Sequence, residues 1–480
     1  MAGVLAGTRI LIGDMTGPHA GAAELLSAAG ATIVGGDDAE PVDVVIGGRP
    51  PGSTAPAVAV AGQPVPDPAG VPAGTVAHAT SVLLAAAALL AHLHGTDLQV
   101  DPAAVEAQLL LPAVAAAAYG LDHEPVARPR RFDDGACAVG PLTAEDEETF
   151  RRLLLTFDHP PDAEDVASRA QQWRLPVCPY RSRSEGPADP PIRWLPGPPS
   201  EPGPDTTPAL SIVDLTSHWA GPLATWLLAA TGARVVKVES RHRPDGFRRS
   251  RHGGPTPLFD ALNRSKHSVD IDLGSQTGKR RFLDLVAGAD LVIDSFSRRV
   301  LPNFGLSTAD LVRDHGRLCT LSLPAFPPQH PFEVAYGPGI HAVRGLGDIG
   351  DGAISEPIVA YPDAVAGFTA FFAALALVVG RRRGSEVRRA EVTLFDAVGP
   401  LLHHPPSRDV ARREADPGGR LLASAAATRP GWEALPDASG VERLLPTTPL
   451  RGSRIPVPST PAPPLGGPCP DTWPAPARGR

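Results

Sequence analysis

The feature that most constrains this chain is a strand–helix–strand unit between residues 210 and 239. Leu210-Ser-Ile-Val-Asp-Leu215 is a short apolar run of strand type. A loop, Thr216-Ser-His-Trp-Ala-Gly-Pro222, follows, and its proline suits the first turn of a helix. Residues 223–230 are apolar and helix-forming, Gly232 is placed to end the helix, and Arg234-Val-Val-Lys-Val-Glu239 is a second strand. Two parallel strands joined by a helix need a right-handed crossover, which commits this region to a parallel sheet covered by helices. A second unit follows: a strand over 268–273, a helix over about 278–287 and the strand Asp290-Leu-Val-Ile-Asp294. Residues 318–323 supply one more strand, and 387–394 a strand or strand–helix junction.

A fainter echo of this pattern occupies the first 200 residues. Thr8-Arg-Ile-Leu-Ile-Gly-Asp14 parallels 210–214, and the Gly30-Ala31 turn before Thr32-Ile-Val34 parallels Gly232-Ala233 and its strand. The Ala-rich run 82–95 parallels 368–384. The expectation is an internal duplication with the middle of the first copy deleted. Gly and Pro together supply 105 of 480 residues, from counts of 49 and 56. Neither residue is tolerated well inside regular elements, so the excess belongs in connections. The expected boundaries are a degenerate first copy over 1–186, a Pro-rich linker over 187–208, a large domain over 209–402, and a disordered Pro/Arg-rich tail over 403–480.

Charge and composition exclude several classes. The formal net charge is −8, a poor field for nucleic acid. The four cysteines, Cys137, Cys178, Cys319 and Cys469, form no CxxC pair, so neither a zinc site nor a disulfide framework is expected. That pattern and the lack of a leader-like start suggest a reducing cytoplasm. The longest apolar runs, 82–93 and 368–379, are shorter than a bilayer span and read as buried helices, so no membrane partner is expected. Lysine occurs only at 237, 266 and 279, which makes those three positions worth locating.

Taken in order, several pieces resemble the family III CoA-transferases, the CaiB/BaiF group. They are Asp214-Leu-Thr, Ala220-Gly-Pro222, Gly232 to Glu239, Asn263-Arg-Ser-Lys-His-Ser-Val-Asp-Ile-Asp-Leu273, and Ala289-Asp-Leu-Val-Ile-Asp294. Phe304-Gly-Leu306, His341-Ala-Val-Arg-Gly345, Pro362-Asp-Ala-Val-Ala-Gly367 and the stretch ending Leu394-Phe-Asp-Ala397 complete the set. In the first half, Phe132-Asp-Asp-Gly135 and Arg174-Leu-Pro-Val177 are similar to the family's small domain. The resemblance implies a Rossmann-like parallel-sheet large domain with a smaller α/β domain. It also implies either a homodimer or, given the partial duplication, an intramolecular pseudo-dimer.

The same resemblance assigns chemistry. Asp363 is the expected nucleophile, attacking an acyl-CoA thioester and passing CoA to a carboxylic acid acceptor through an aspartyl intermediate. Coenzyme A is then a substrate, with no permanently bound cofactor. From spacing alone, the expected role of Asp363 is to cap its helix, and it is the resemblance that reverses this. Ser217, His218, Trp219 and Ala220 lie in the loop that contacts CoA in the family, where Trp219 either stacks on adenine or fills core. Asn263, Lys266 and His267 match the element that meets adenine and phosphates, and cations there suit the phosphate charges. Arg241 is a further phosphate candidate, and Phe296 is placed at the pantetheine side. The glycine-rich shielding loop of some members is missing. The alternatives are an α-methylacyl-CoA racemase, whose histidine would fall near Tyr336, and a catalytically degenerate CoA-binding paralogue.

Overall fold

The computed structural model describes residues 3–35, 41–47, 50, 53–62, 65, 67, 71–118, 129–132, 135–139, 144–159, 161–183, 189–199, 209–248, 256–348, 350, 353–355, 357, 359–404, 430–453, 455 and 460–466. The first half runs β1 (Arg9–Ile12), α1 (Gly17–Ala28), β2 (Thr32–Val34), β3 (Val44–Ile46), β4 (Ala57–Val60), α2 (Thr75–His94), β5 (Leu98–Val100) and α3 (Pro102–Ala118). A small unit follows: β6 (Pro129–Phe132), β7 (Gly135–Val139), α4 (Ala144–Leu154), α5 (Ala163–Gln172) and β8 (Val177–Pro179). The second half holds β9 (Arg193–Pro196), β10 (Ser211–Leu215), α6 (Ala220–Ala230), β11 (Arg234–Glu239), α7 (Pro257–Asn263), β12 (His267–Asp270), α8 (Gln276–Ala287) and β13 (Leu291–Asp294). It continues with α9 (Val300–Asn303), α10 (Thr308–Asp314), β14 (Cys319–Ser322), α11 (Gly337–Val343), α12 (Tyr361–Arg382), β15 (Val387–Glu391) and α13 (Leu394–Ala397). The chain closes on β16 (Trp432–Pro436), β17 (Glu442–Pro446) and β18 (Leu450–Arg451).

The second-half sheet has the order β12-β11-β10-β13-β14-β15-β9, parallel except for the β9 edge. From β10 outward this is the doubly wound arrangement, with the order reversing between β10 and β13. The first-half sheet runs β18-β5-β4-β3-β1-β2, parallel except for β18. It has the same plan with one edge strand fewer on the β2 side. The strands β10 and β13 are buried almost throughout, as sheets covered on both faces require.

The two halves meet through their long helices. Helices α2 and α12 pack on one another inside a single core that spans both sheets. The two helices have the length and hydropathy of membrane spans, longer than the apolar runs alone suggested, yet α12 is buried in the protein along its whole candidate window. A helix apolar on every side needs such a covering. Arg383, just past α12, donates to the Gly7 carbonyl and pairs with Asp43 at 2.6 Å, tying the halves polar-side as well. The small sheet β6-β7-β8 has its own core with α4 and α5. It docks on the second half through Gln171, whose amide exchanges hydrogen bonds with the Val334 backbone at 2.8 and 2.9 Å.

Two boundary expectations need correction. Residues 193–196 of the supposed linker form β9, which pairs antiparallel with β15. Within the supposed disordered tail, β16 and β17 form a hairpin, and β18 extends the first-half sheet beside β5. The turn is fixed by Asp437, whose Oδ1 accepts from the Ser439 and Val441 amides. Leu445 and Leu450 enter the core at 2% and 0% exposure, so apolar burial holds this segment. Positions 133–134, 201–208, 405–429 and 467–480 lie outside the described residues.

Candidate active site

The loops after β10 and β13 face the crevice where the strand order reverses, the position at which open α/β sheets bind ligands. They are joined directly: the Ser217 amide donates to Ser295 Oγ at 3.0 Å. Helix α12 starts beside them. A Cβ at Gly367 would sit 2.8 Å from the Ala220 carbonyl oxygen, so glycine is what lets α12 lie against the start of α6. Asp363 lies one turn earlier, in the first turn of α12.

Asp363 is not the N-cap. The helix begins at Tyr361 with Pro362 in its first turn, the cap is Ala360, and no side chain caps the end. The Asp363 carboxyl instead accepts the Gly337 amide on Oδ2 at 2.8 Å, at the opening of α11. A side chain at Gly337 would collide with that oxygen. Only 6% of Asp363 is exposed. Burial pushes its pKa up to about 7 from the ordinary 3.8, against the Gly337 amide and its own, which pull it down. The result is a poorly solvated carboxyl that titrates near neutrality beside two helix starts.

Tyr336, the residue before Gly337, and His218 complete the surroundings. The Tyr336 phenol is held above its usual pKa by burial and by the Asp363 carboxyl. The His218 ring meets Tyr336 edge-on, with centroids 5.1 Å apart, and Phe247 at 5.7 Å. His218 adopts a left-handed backbone with φ of 67°, which costs on the order of 1–3 kcal/mol for a non-glycine residue. What holds it there lies beneath the loop. Lys237 donates to the Thr216 carbonyl at 2.7 Å and pairs with Asp245 at 3.0 Å, and Asp245 accepts the His218 amide at 3.3 Å. Burial lowers the His218 pKa, so the imidazole is neutral at pH 7.

Residues 209–430 match CoA-transferase family III. This part of the chain is similar to the family III CoA-transferases. An acyl-CoA transferase of Fusarium pseudograminearum is 27% identical over 209 residues, covering 40% of this chain and 46% of that protein. A succinyl-CoA:mesaconate CoA-transferase of Haloarcula hispanica is 38% identical over 116 residues, covering 22% and 28%. Among solved structures, a CAIB/BAIF family protein from Brucella suis aligns over 48% of this chain and 63% of that one, at 25% identity and a TM-score of 0.36. The chain thus spans less than half the length of these two curated relatives.

Within residues 209–430, the expected CoA ligands do not gather in one place. Lys266 is 5% exposed and its ammonium bonds to Asp214 Oδ2 at 3.1 Å, Pro222 O at 3.0 Å, Thr225 Oγ1 at 2.8 Å and Asn263 Oδ1 at 2.9 Å. Three ammonium hydrogens are fully engaged by those four acceptors, so the expected phosphate role gives way to a structural one. Asn263 is part of the same knot, its amide donating to Phe259 O at 3.0 Å. Burial pushes the Asp214 pKa up, but Lys266, Lys237 and the hydrogen bonds from Thr216 together outweigh it and hold the carboxyl below its ordinary value. Trp219 is 4% exposed within the central core, which decides for core filling over adenine stacking. Ala220 opens α6 beneath it.

The remaining candidates are more open. Arg241 is exposed and pairs with Asp270. His267 begins the edge strand β12 and is half-buried, with its pKa lowered by that burial. Phe296 follows β13, its amide donating to Asp294 Oδ1 at 3.1 Å, and its ring packs partly against the sheet. Ser217 contacts the His218 ring, with Oγ 3.2 Å from Nδ1. The residue that sequence reasoning passed over is Gly337, and Tyr336 entered only as the position of a racemase histidine. The signal was present in Tyr336-Gly-Pro-Gly339, a proline flanked by glycines at a helix start.

Proposed function

We propose that this chain transfers CoA between an acyl-CoA thioester and a carboxylic acid, with Asp363 as the nucleophile. The observation that carries this reading is the buried Asp363 carboxyl, titrating near 7 and held by the Gly337 amide at 2.8 Å. The carboxylate attacks the thioester carbonyl, the C–S bond breaks, and CoA leaves as thiolate. The thiolate then attacks the aspartyl carbonyl of the mixed anhydride, releasing the first acid and leaving an aspartyl-CoA thioester. The incoming carboxylate reverses these steps and departs as the new acyl-CoA. A poorly hydrated carboxylate is the stronger nucleophile, and the amides around it are suited to receive the oxyanion of each tetrahedral intermediate.

Tyr336 orients this site in the proposed reaction, and His218 supports Tyr336 as a neutral ring. The proposed organisation is a pseudo-dimer within one chain, with the second half supplying the nucleophile and the small β6-β7-β8 unit of the first half closing beside α11. The test is isotope exchange: labelled succinate should enter succinyl-CoA, or labelled acetate acetyl-CoA, when the protein is present. Deuterium uptake at the α-carbon without carboxylate exchange would instead identify a racemase, and binding of CoA with neither reaction a non-catalytic relative.

A further inference from the structure

The small unit grips the second half at one backbone residue. Gln171 stands in the last turn of α5 and is half-buried. Its amide oxygen accepts the Val334 N–H at 2.8 Å. Its amide nitrogen donates to the Val334 carbonyl and to the Val177 carbonyl of β8, both at 2.9 Å. A side-chain amide has one acceptor and two N–H donors, and here all three are engaged. Two of the three bonds serve Val334, as a paired strand would. The core of the small unit does not need them: from α5 it takes Ala163, Val166, Ala167 and Ala170.

What Val334 leads to gives the grip a purpose. Only Ala335 and Tyr336 separate it from Gly337, whose amide donates to Asp363 Oδ2 at 2.8 Å. Helix α11 has seven residues and no side-chain cap at Tyr336, so it is too short to hold its own direction from within. Its far end is fixed separately: His341 Nδ1 lies 2.8 Å from the Tyr361 hydroxyl on α12, His341 Nε2 donates to the Ser355 carbonyl at 2.8 Å, and the Ala342 carbonyl accepts the Arg181 amide at 3.1 Å. We propose that Gln171 is a positioning residue for Asp363: by fixing the Val334 backbone it aims the Gly337 amide at the Asp363 carboxyl. Its effect on rate rests on the reading of Asp363 as nucleophile; its effect on the carboxyl does not. The Gly337 amide pulls the Asp363 pKa down, so an amide turned aside lets it rise. The titratable side chains around this point are Tyr336 and His341 of α11, Tyr361 of α12 and His218 before α6, with Arg243 and Asp146 acting on Tyr336. The hydrogen bonds of Gln171 go to none of them.

The test reads the carboxyl itself. The full chain is labelled with carboxyl-13C aspartate, and the Asp363 resonance is identified by its loss in Asp363→Asn. Gln171→Met keeps the unbranched stem and removes every hydrogen bond of the amide. The expected result is an Asp363 titration about one pH unit above the parent's, the worth of one hydrogen bond to a charged group. Gln171→Asn, which draws the amide back by one methylene, should move the titration the same way. Val166→Ala truncates the core of the same helix and should lower stability without moving it. In the exchange assay, Gln171→Met should lower kcat roughly fivefold at pH 7, as the ionised fraction falls, with the deficit narrowing at pH 9 and KM for acetyl-CoA within about twofold of the parent. An Asp363 titration unchanged in both Gln171 variants, or moved equally by Val166→Ala, overturns the positioning role. Failure of the nucleophile reading shows differently: exchange then survives Asp363→Asn, while the Gln171 variants still move the carboxyl titration.

Discussion

Helices α2 and α12 lie side by side at the centre of the molecule, and each begins with a carboxylate nearby. At α12 the carboxylate is Asp363, on the helix itself, buried and given one amide by α11. At α2 the first turn has no acidic residue, and its third position is Ala77. The carboxylate there comes from outside: Asp67 accepts the Gly74 and Val76 amides at 2.6 and 2.7 Å and is half-buried. Both are favourable placements of negative charge at a helix start. The difference is solvation. Asp67 does the work of a cap from the preceding loop, whereas Asp363 is enclosed with so few donors that its pKa reaches about 7. A carboxylate at a helix start is ordinary; one so poorly solvated is what the proposed nucleophile requires.

Removing the Asp363 charge should have the largest effect. Asp363→Asn should lower CoA exchange by several powers of ten, since no second nucleophile stands in its place. It should also stabilise the protein at alkaline pH. The folded-state pKa lies above the ordinary value, so the neutral carboxyl favours the fold below about pH 4, and that advantage is lost as pH rises through about 7. Asp363→Asn should therefore be more stable than the parent at pH 8, by up to about 4 kcal/mol, and unfold at a higher temperature there, with the gap closing at pH 4. A thermal denaturation series across pH reads both.

The next effect should come from Gly337→Ala, whose methyl group displaces the Asp363 carboxyl. Exchange should fall by roughly a hundredfold, as misplacement of a reacting group does. Lys266→Met should hardly concern CoA affinity at all. It removes the ammonium that pairs with the buried Asp214 and leaves that carboxylate to Thr216, Thr225 and the more distant charge of Lys237, which costs about 3 kcal/mol of stability by denaturant titration. The smallest effect belongs to the other helix. Asp67→Ala should cost about 1 kcal/mol as a lost cap and leave the exchange rate within twofold of the parent. A large loss of exchange in Asp67→Ala would erase the distinction between the two helix starts.

Much of the second half could be read from the residues, because its strands are short apolar runs and its helices carry glycine and proline at their ends. β10, α6, β11, β13 and α12 fall where the pattern placed them. Asp363 was legible through its motif, but not its solvation, which depends on Gly337, 26 residues away in sequence. Lys266 and Asn263 misled for the same reason: a motif reports residue types, and only packing shows that the ammonium faces Asp214 rather than solvent. β9, β16 and β17 were hidden by their prolines. Proline is compatible with strands paired along one side only, which is the situation of all three. The hairpin left one readable trace, Asp437-Ala-Ser-Gly440 between two Leu-containing runs.

In the proposed reaction one of the two helix starts is a covalent catalyst and the other is only capped. Incubating the protein with succinyl-CoA or acetyl-CoA, reducing with borohydride, and mapping the peptides by mass spectrometry tests it directly. Borohydride converts an aspartyl thioester to an alcohol and leaves a free carboxylate untouched. That conversion is expected at Asp363, at one site per chain, with the peptide containing Asp67 and Ala77 unchanged. Sustained exchange with Asp363 unmodified, or modification in the α2 peptide, would contradict it.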